Sequence, residues 1–110
     1  MNFKIIAIES FKRQAKRLSK KYPSLKNELA ELESHLTENF KLGKPIGQNC
    51  YKIRIGIKSK GSGKSGGARV ITNIAVLDKT IFLLSIYDKS ETENISDSDL
   101  KILLQHIHKS

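Results

Sequence analysis

The stretch between residues 51 and 76 constrains the fold more than any other part of the chain. Residues 51–57 alternate apolar side chains with basic or small ones, which is the pattern of a β-strand with one buried face. A segment with four glycines, three lysines and no acidic residue follows, and residues 69–76 then form a second apolar run. The pattern predicts two antiparallel strands joined by a flexible, strongly cationic loop.

Two amphipathic helices are predicted before these strands. Pro23 interrupts the helical pattern and Ser24 is a favourable N-cap, so the helices are expected to form a hairpin. Glutamates of the second helix, among them Glu28 and Glu31, are expected to face the basic residues of the first. Apolar residues recur at helical spacing, first at Phe11, Ala15, Leu18 and Tyr22 and then at Leu25, Leu29, Leu32 and Leu36.

The remaining segments complete the fold class. A strand is predicted over 3–8, a strand apolar on both faces over 80–87, and a closing helix capped by Ser96. Residues 40–48, which contain glycine and proline, are interpreted as a loop. The predicted fold is α+β with the order β-α-α-β-β-β-α, a four-stranded, mostly antiparallel sheet packed against the helical hairpin. The other face of the sheet is expected to carry polar side chains.

Length and charge limit the function classes. The 110 residues are expected to form one domain over 1–110, and the net charge of +9 favours nucleic acid, an acidic protein or an anionic membrane surface as partner. Cys50 is the only cysteine, which excludes an internal disulfide and favours a reducing compartment. Since the longest apolar runs are far shorter than the ~20 residues of a transmembrane helix, a soluble cytoplasmic protein is expected.

The spacing of the residues excludes a nucleotide-binding P-loop and makes a histidine metal site improbable. Gly63-Lys64-Ser65 resembles the end of a phosphate-binding P-loop, but Lys58 stands where that motif needs glycine, and no helix signal follows. His106 and His108 are two residues apart and cannot share a helix face, and His35 has no ligand partner one turn away. No metal and no cofactor are expected.

A cluster of cations remains as the candidate site. It can bind phosphate, and two functions use such binding. Metal-free cleavage of RNA needs an acid, a base and a stabiliser of the phosphorane, for which arginine and a lysine with a lowered pKa are suitable. Charge alone favours the other function, electrostatic binding without catalysis. The cations expected to converge are Lys52, Arg54, Lys58, Lys60, Lys64, Arg69 and Lys89.

Three segments together resemble a known family. Cys50–Arg54, Gly63–Ile71 and Phe82–Glu91 resemble the RelE/ParE superfamily, the toxins of bacterial type II toxin–antitoxin systems. The loop sequence is most similar to the HigB-type branch, and the predicted order of elements is also that of the family. The resemblance implies a ribosome-dependent mRNA interferase that cuts message in the A site and is held inactive, as a hetero-oligomer, by a cognate antitoxin.

The resemblance also implies roles for individual residues. Arg69 is expected to stabilise the phosphorane and Lys89 to act as acid or base. Lys52 and Arg54 are expected to orient flanking phosphates, and Lys64 to steer RNA together with the other loop lysines, Lys58 and Lys60.

The chain departs from the family where its ribonucleases often carry tyrosines. Thr72 and Asn73 stand directly after Ile71 instead, and Ile95 lies near the closing helix. Tyr87 is then the one tyrosine close in sequence to the site, either as an RNA contact or as part of the core. Two rival functions stay open: a ParE-like inhibitor of DNA gyrase, and a basic module that binds RNA or ribosomes without cutting.

Overall fold

A computed structural model describes residues 3–61 and 63–107. The two helices of the hairpin and the closing helix form where the sequence predicts them, and Ser96 caps the closing helix by accepting a hydrogen bond from Asp99 N at 3.1 Å. The elements are β1 (Lys4–Ala7), α1 (Glu9–Lys21), α2 (Leu25–Glu38), β2 (Lys44–Gly47), β3 (Cys50–Ile55), a short 3-10 helix (Lys58–Lys60), β4 (Ala68–Ala75), β5 (Thr80–Asp88) and α3 (Asp97–Ile107).

The sheet has five strands in the order β1-β5-β4-β3-β2, so the prediction of four strands is wrong. The additional strand, β2, lies in the segment interpreted as a loop and pairs antiparallel with β3. The sequence did not predict this strand because it contains Pro45, and proline lacks the N–H that a central strand needs. Proline is tolerated at the edge of a sheet, which is where β2 lies. The other strands confirm the mostly antiparallel arrangement, since only β1 pairs parallel, with β5.

The helical hairpin covers one face of the sheet, as predicted. Leu18, Leu25 and Leu36 are completely buried and form one core with Val70 of β4 and Ile81 of β5. Strand β5 lies between β1 and β4, and it is apolar on both faces because its residues belong to apolar clusters on both sides of the sheet. The core therefore fixes β5 as the centre of the domain.

The opposite face is not simply polar. Helix α3 packs on it through Leu100, which shares a second apolar cluster with Ile71, Leu84 and Tyr87. Polar and cationic residues occupy only the part of this face that α3 leaves uncovered. The prediction of a polar second face is thus wrong for the half beneath α3.

The predicted pairing between the two helices of the hairpin is also not seen among the described residues. Arg17 and Lys21 of α1 instead form ion pairs with Glu91, which follows β5, at 2.8 and 3.7 Å. Glu28 of α2 accepts a hydrogen bond from the backbone N–H of Lys58 at 2.7 Å. The glutamate thus ties the start of the glycine loop to α2.

Candidate nucleic-acid interface

Strand register brings the predicted cations together on the face that carries α3. In the antiparallel ladders, Arg54 of β3 is opposite Arg69 of β4, and Arg69 is opposite Tyr87 of β5. Residues directly opposite each other share a face, so these three side chains form a row across the sheet. Lys52 lies two residues from Arg54 and therefore on the same face.

Lys52 is at the electrostatic centre of this group. Its Nζ donates a 3.0 Å hydrogen bond to Asn94 Oδ1. Partial burial lowers the pKa of Lys52, and the nearby cations Lys44, Arg69, Arg54 and Lys89 lower it further. The lowering has the direction expected from crowding by cations, and burial is its larger cause.

Lys44 is a cation of the site that the sequence did not reveal. It is paired with Lys52 across β2 and β3, which places its side chain on the same face. The reason for the omission is that residues 40–48 were interpreted as a loop, whereas only strand pairing defines the direction of the Lys44 side chain. Lys44, Lys52, Arg54, Arg69 and Lys89 are called the cationic cluster below.

Arg69 is buried and engaged with the glycine loop. Its Nη1 donates to the carbonyl oxygens of Lys64 and Ala68 at 2.9 and 3.1 Å, and its Nη2 donates to that of Ser65 at 3.0 Å. Burial lowers the pKa of Arg69, and the adjacent Arg54 lowers it further. Arg69 therefore holds the loop against the sheet, while the exposed Arg54 presents its guanidinium to solvent.

Lys60, expected among the RNA-binding residues, is not part of the cationic cluster. Its Nζ donates to Asp88 Oδ1 at 2.6 Å, to the carbonyl of Gly66 at 2.8 Å and to Ser90 Oγ at 3.3 Å. Asp88 is fully buried and also accepts a 2.6 Å hydrogen bond from the hydroxyl of Tyr22. The ammonium is thus neutralised within a structural ion pair.

Asp88 is ionised because of these partners. Burial acts to raise its pKa, but hydrogen bonds from Lys60, Tyr22 and Ser90 outweigh burial and hold the pKa of Asp88 well below its usual range. A buried carboxylate is tolerated when it is paired and hydrogen-bonded in this way.

The remaining predicted residues divide between the surface and the core. Lys64 is exposed on the loop, and Lys89 is half-buried with its backbone N–H donating to Gly67 O at 3.0 Å. Lys58 is exposed on the 3-10 helix. Tyr87 packs beneath α3, and burial raises the pKa of its hydroxyl. Its ring is therefore not available for stacking on a base in this conformation.

The described residues contain no group of three His, Cys, Asp or Glu side chains placed to hold a metal ion. His106 lies in the last turn of α3, and His108 falls outside the described residues. Within 3–61 and 63–107, none of the helices is long and apolar enough to cross a bilayer.

The fold and the site define a small basic α+β protein with cations exposed on one side of a mixed sheet. The chain belongs to the RelE toxin family, because the family model for the RelE toxin of the RelE/RelB toxin–antitoxin system matches residues 3–109. It is thus a member of a family of toxins that act within toxin–antitoxin systems.

Two solved structures show the same fold. A double arginine-to-alanine mutant of the E. coli toxin RelE in the free state superposes with a TM-score of 0.58 at 18% sequence identity, covering 99% of this chain and 97% of that one. The isolated E. coli RelE toxin in a P21 crystal form gives a TM-score of 0.51 at 16% identity, covering 94% of this chain and 97% of that one.

Proposed function

We propose that this toxin is a ribosome-dependent mRNA interferase that cleaves message through the RNA 2′-hydroxyl without a metal ion. We further propose that it belongs to the HigB-like branch, acts in the cytoplasm and is neutralised by a cognate antitoxin. One observation carries the proposal: strand pairing brings the four strand residues of the cationic cluster to one face of the sheet. Such a site attracts the phosphates of RNA and can stabilise charge that develops on a phosphorane.

The residues divide into two chemical roles. Lys52 is the proposed general base, since a lysine with a lowered pKa has a larger neutral fraction and can accept the proton of the 2′-hydroxyl. Lys89, whose charge also lowers the pKa of Lys52, is the proposed acid that protonates the leaving 5′-oxygen. The 2′-oxygen forms a bond to phosphorus while the bond between phosphorus and the 5′-oxygen breaks; Lys52 takes up one proton and Lys89 releases one, so the reaction needs no further reagent.

Arg54 and Arg69 are the proposed stabilisers of the phosphorane. Arg54 is exposed and opposite Arg69, so two guanidinium groups flank the same point of the sheet. Three N–H donors of Arg69 are engaged with backbone carbonyls, which leaves two of the five that a guanidinium carries. Lys64 is the proposed guide for RNA from the loop, and Lys58 a more distant one.

The proposed site lacks the tyrosines that the family's ribonucleases often carry, because Thr72 and Asn73 stand at those positions. Thr72 is buried, and the side chain of Asn73 donates to the carbonyl of Gln48 at 3.1 Å, so both residues serve the sheet and the β2–β3 turn. The proposed catalytic residues are therefore lysines and arginines rather than aromatic residues. Lys60 and Tyr87 are left out of the proposed site because of their buried contacts.

Primer extension on ribosome-bound message tests the proposal. Expression of the protein without an antitoxin is expected to create new 5′ ends within codons and to stop growth. Arg69→Ala is expected to abolish both effects, and full growth inhibition by this variant would contradict its assigned role. DNA damage with intact message would instead establish gyrase inhibition. Absence of both effects would support a basic module that binds RNA or ribosomes without cutting.

A further inference from the structure

Asn94 lies beside the proposed general base, although it is not part of the cationic cluster. Its Oδ1 atom is 3.0 Å from Nζ of Lys52 and accepts a hydrogen bond from it. The two residues are 42 positions apart in the chain, so only the tertiary fold brings them together. The contact therefore links β3 to segment 89–96, which connects β5 with α3.

The fold holds the backbone of Asn94 from both sides. On one side, the backbone N–H of Thr92 donates to the carbonyl of Asp88 at 3.0 Å, which closes a turn directly after β5. On the other side, Ile95 packs against the apolar cluster that α3 shares with the sheet. The exposed side chain of Asn94 thus projects from a backbone that is anchored before and after it.

An amide oxygen is a suitable acceptor for a lysine that has to work as a base. The ammonium form of Lys52 donates through N–H groups, and the neutral amine keeps N–H groups as well, so Oδ1 of Asn94 can accept in both states. Because this oxygen carries no full charge, it does not favour the ammonium form as a carboxylate would. None of the ion pairs among the described residues includes Lys52. The contact restrains the position of Nζ without fixing its protonation.

Several other charged groups face Lys52. Partial burial lowers the pKa of Lys52, and four cations lower it further, namely Lys44, Arg54, Arg69 and Lys89. Lys52 also lines a groove to which other elements contribute the titratable residues Glu28, Glu31, His35 and Lys64. All these groups stay in place when residue 94 alone is changed. A change in the titration of Lys52 can then be assigned to that residue.

We propose that Asn94 is a positioning residue, which holds Nζ of Lys52 in place to accept the proton of the RNA 2′-hydroxyl. This inference rests on the proposed function, in which Lys52 is the general base. The proton passes from the 2′-oxygen to Nζ, and Asn94 exchanges no atom with the RNA. A lysine side chain loses much rotamer freedom when its end is fixed, and a hydrogen bond made before RNA binds removes part of this cost from the reaction.

Asn94→Asp tests the contact by adding a charge without changing the shape of the side chain. An opposite charge beside Nζ favours the ammonium, so the pKa of Lys52 is expected to rise by about 1. The increase of the cleavage rate with pH should move upward by the same amount. The loss of rate is therefore expected at neutral pH and should disappear where Lys52 is neutral in both proteins.

Asn94→Ala tests the positioning role by removing the acceptor without adding a charge. Misplacement of a reacting group by about 1 Å can cost about 10²-fold in rate, so kcat is expected to fall about ten- to a hundredfold. High pH should not restore this loss, because the base is then neutral but still poorly placed. The KM for ribosome-bound message is expected to change little, since the charge of the site is unchanged.

The pKa of Lys52 can be measured without any cleavage. NMR spectra of the full-length protein with ¹³C-labelled lysine follow each side chain through a pH titration, and Lys52→Arg identifies the signal of Lys52. Asn27→Asp is the matched control, because it makes the same change at an exposed position of α2. It is expected to leave both the titration of Lys52 and the cleavage rate unchanged. Urea unfolding curves of the variants at the exposed residue 94 should overlay that of the wild type.

The possible outcomes separate this inference from the proposed function. An unchanged pKa of Lys52 in Asn94→Asp would rule out the contact, and an unchanged kcat in Asn94→Ala would rule out the positioning role. A loss in Asn94→Ala that is confined to KM would assign residue 94 to RNA binding and overturn the proposal. Message left intact by the wild-type protein would refute the proposed function, whereas a raised pKa of Lys52 in Asn94→Asp would still establish the contact.

Discussion

The ammonium nitrogen of Lys60 lies 2.6 Å from a carboxylate oxygen of Asp88, and the carboxylate is completely shielded from solvent. The pair links the start of the glycine loop to the end of β5. Because Asp88 also accepts hydrogen bonds from Ser90 and from Tyr22, which directly follows α1, one carboxylate joins the end of α1, the loop and the sheet. Loss of this link is expected to affect the whole domain.

Removing one partner of this ion pair is expected to destabilise the protein strongly. Lys60→Met leaves a buried carboxylate without its cation, and breaking a buried pair in this way costs about 3–5 kcal/mol. Urea unfolding monitored by circular dichroism measures the loss. Lys58→Met is the matched control, since it removes an exposed lysine of the same 3-10 helix, and an equal effect of both variants would contradict the structural role of Lys60.

The same pair predicts how stability depends on pH. The pKa of Asp88 is lower in the folded protein than in the unfolded chain, so its contribution is complete above the unfolded value of about 4 and is lost as pH falls below it. Asp88→Asn is expected to be less stable at neutral pH and to lose less of its stability on acidification. Thermal melts between pH 7 and pH 3 measure the difference, and parallel curves for both proteins would contradict the prediction.

Two glycines of the loop are expected to respond differently to the same substitution. A Cβ on Gly67 would overlap the carbonyl oxygen of Ile55, whereas a Cβ on Gly63 meets no atom within 4 Å. Gly67→Ala is therefore expected to cost about 1–3 kcal/mol by overpacking. Gly63→Ala is expected to be neutral or to stabilise by up to ~1 kcal/mol, since it restricts the unfolded chain. Urea unfolding measures the stability of both variants. Equal stabilities would contradict the prediction and show that the backbone at Gly67 can move away from Ile55 at little cost.

Arg54 is expected to be essential for cleavage but not for folding. Its side chain is exposed, and removing one donor to a developing oxyanion typically lowers kcat by about 10²–10³. Arg54→Ala is therefore expected to slow cleavage of ribosome-bound message by at least a hundredfold while its unfolding curve stays unchanged. Arg13→Ala, at an exposed position of α1, controls for the general loss of a positive charge. If the cleavage rate fell equally in both variants, Arg54 would contribute only its charge and not a specific contact.

Lys52 is expected to determine the pH dependence of cleavage. A general base works in its neutral form, so the rate should increase with pH until the lowered pKa of Lys52 is reached. Lys44→Gln removes a nearby cation, raises the pKa of Lys52 and moves this increase to higher pH. Lys52→Arg keeps the charge but loses the base, and about 10²–10⁴ of the rate should disappear with it.

Single-turnover cleavage rates between pH 6 and pH 10 provide this measurement. Lys41→Gln serves as the control, because Lys41 is exposed near the end of α2 and is not among the residues that shift the pKa of Lys52. A profile that is identical in wild type and Lys44→Gln would exclude Lys52 as the titrating group.

The sequence predicted the parts of the fold that depend on local patterns. The helices follow from apolar residues at helical spacing, and β5 follows from an apolar run too continuous for an edge strand. Strand β2 was not predicted because its four residues include a proline and a glycine, and only pairing with β3 makes them a strand. The covering role of α3 was also missed, since its apolar stripe does not indicate which face it covers.

The site was predictable in the residues whose strand alternation fixes their direction. Lys52 and Arg54 could be assigned to one face from the sequence, and β4 brings Arg69 to the same face. The partners of loop residues could not be assigned in this way. Lys60 binds Asp88, which is distant in the chain, and the cover over Tyr87 comes from α3.

The central position of β5 has a consequence for synthesis of the protein. Strand β1 and helix α1 are synthesised before β5, but both find their partner in β5, which begins at Thr80. A chain released or stalled before this strand has left the ribosome lacks the middle of its sheet and its principal core. Folding must then wait for contacts between distant parts of the sequence, which are slow to form. The cationic cluster is therefore assembled only after β5 has been synthesised, so products that stop before Thr80 are expected to be harmless to the cell that makes them.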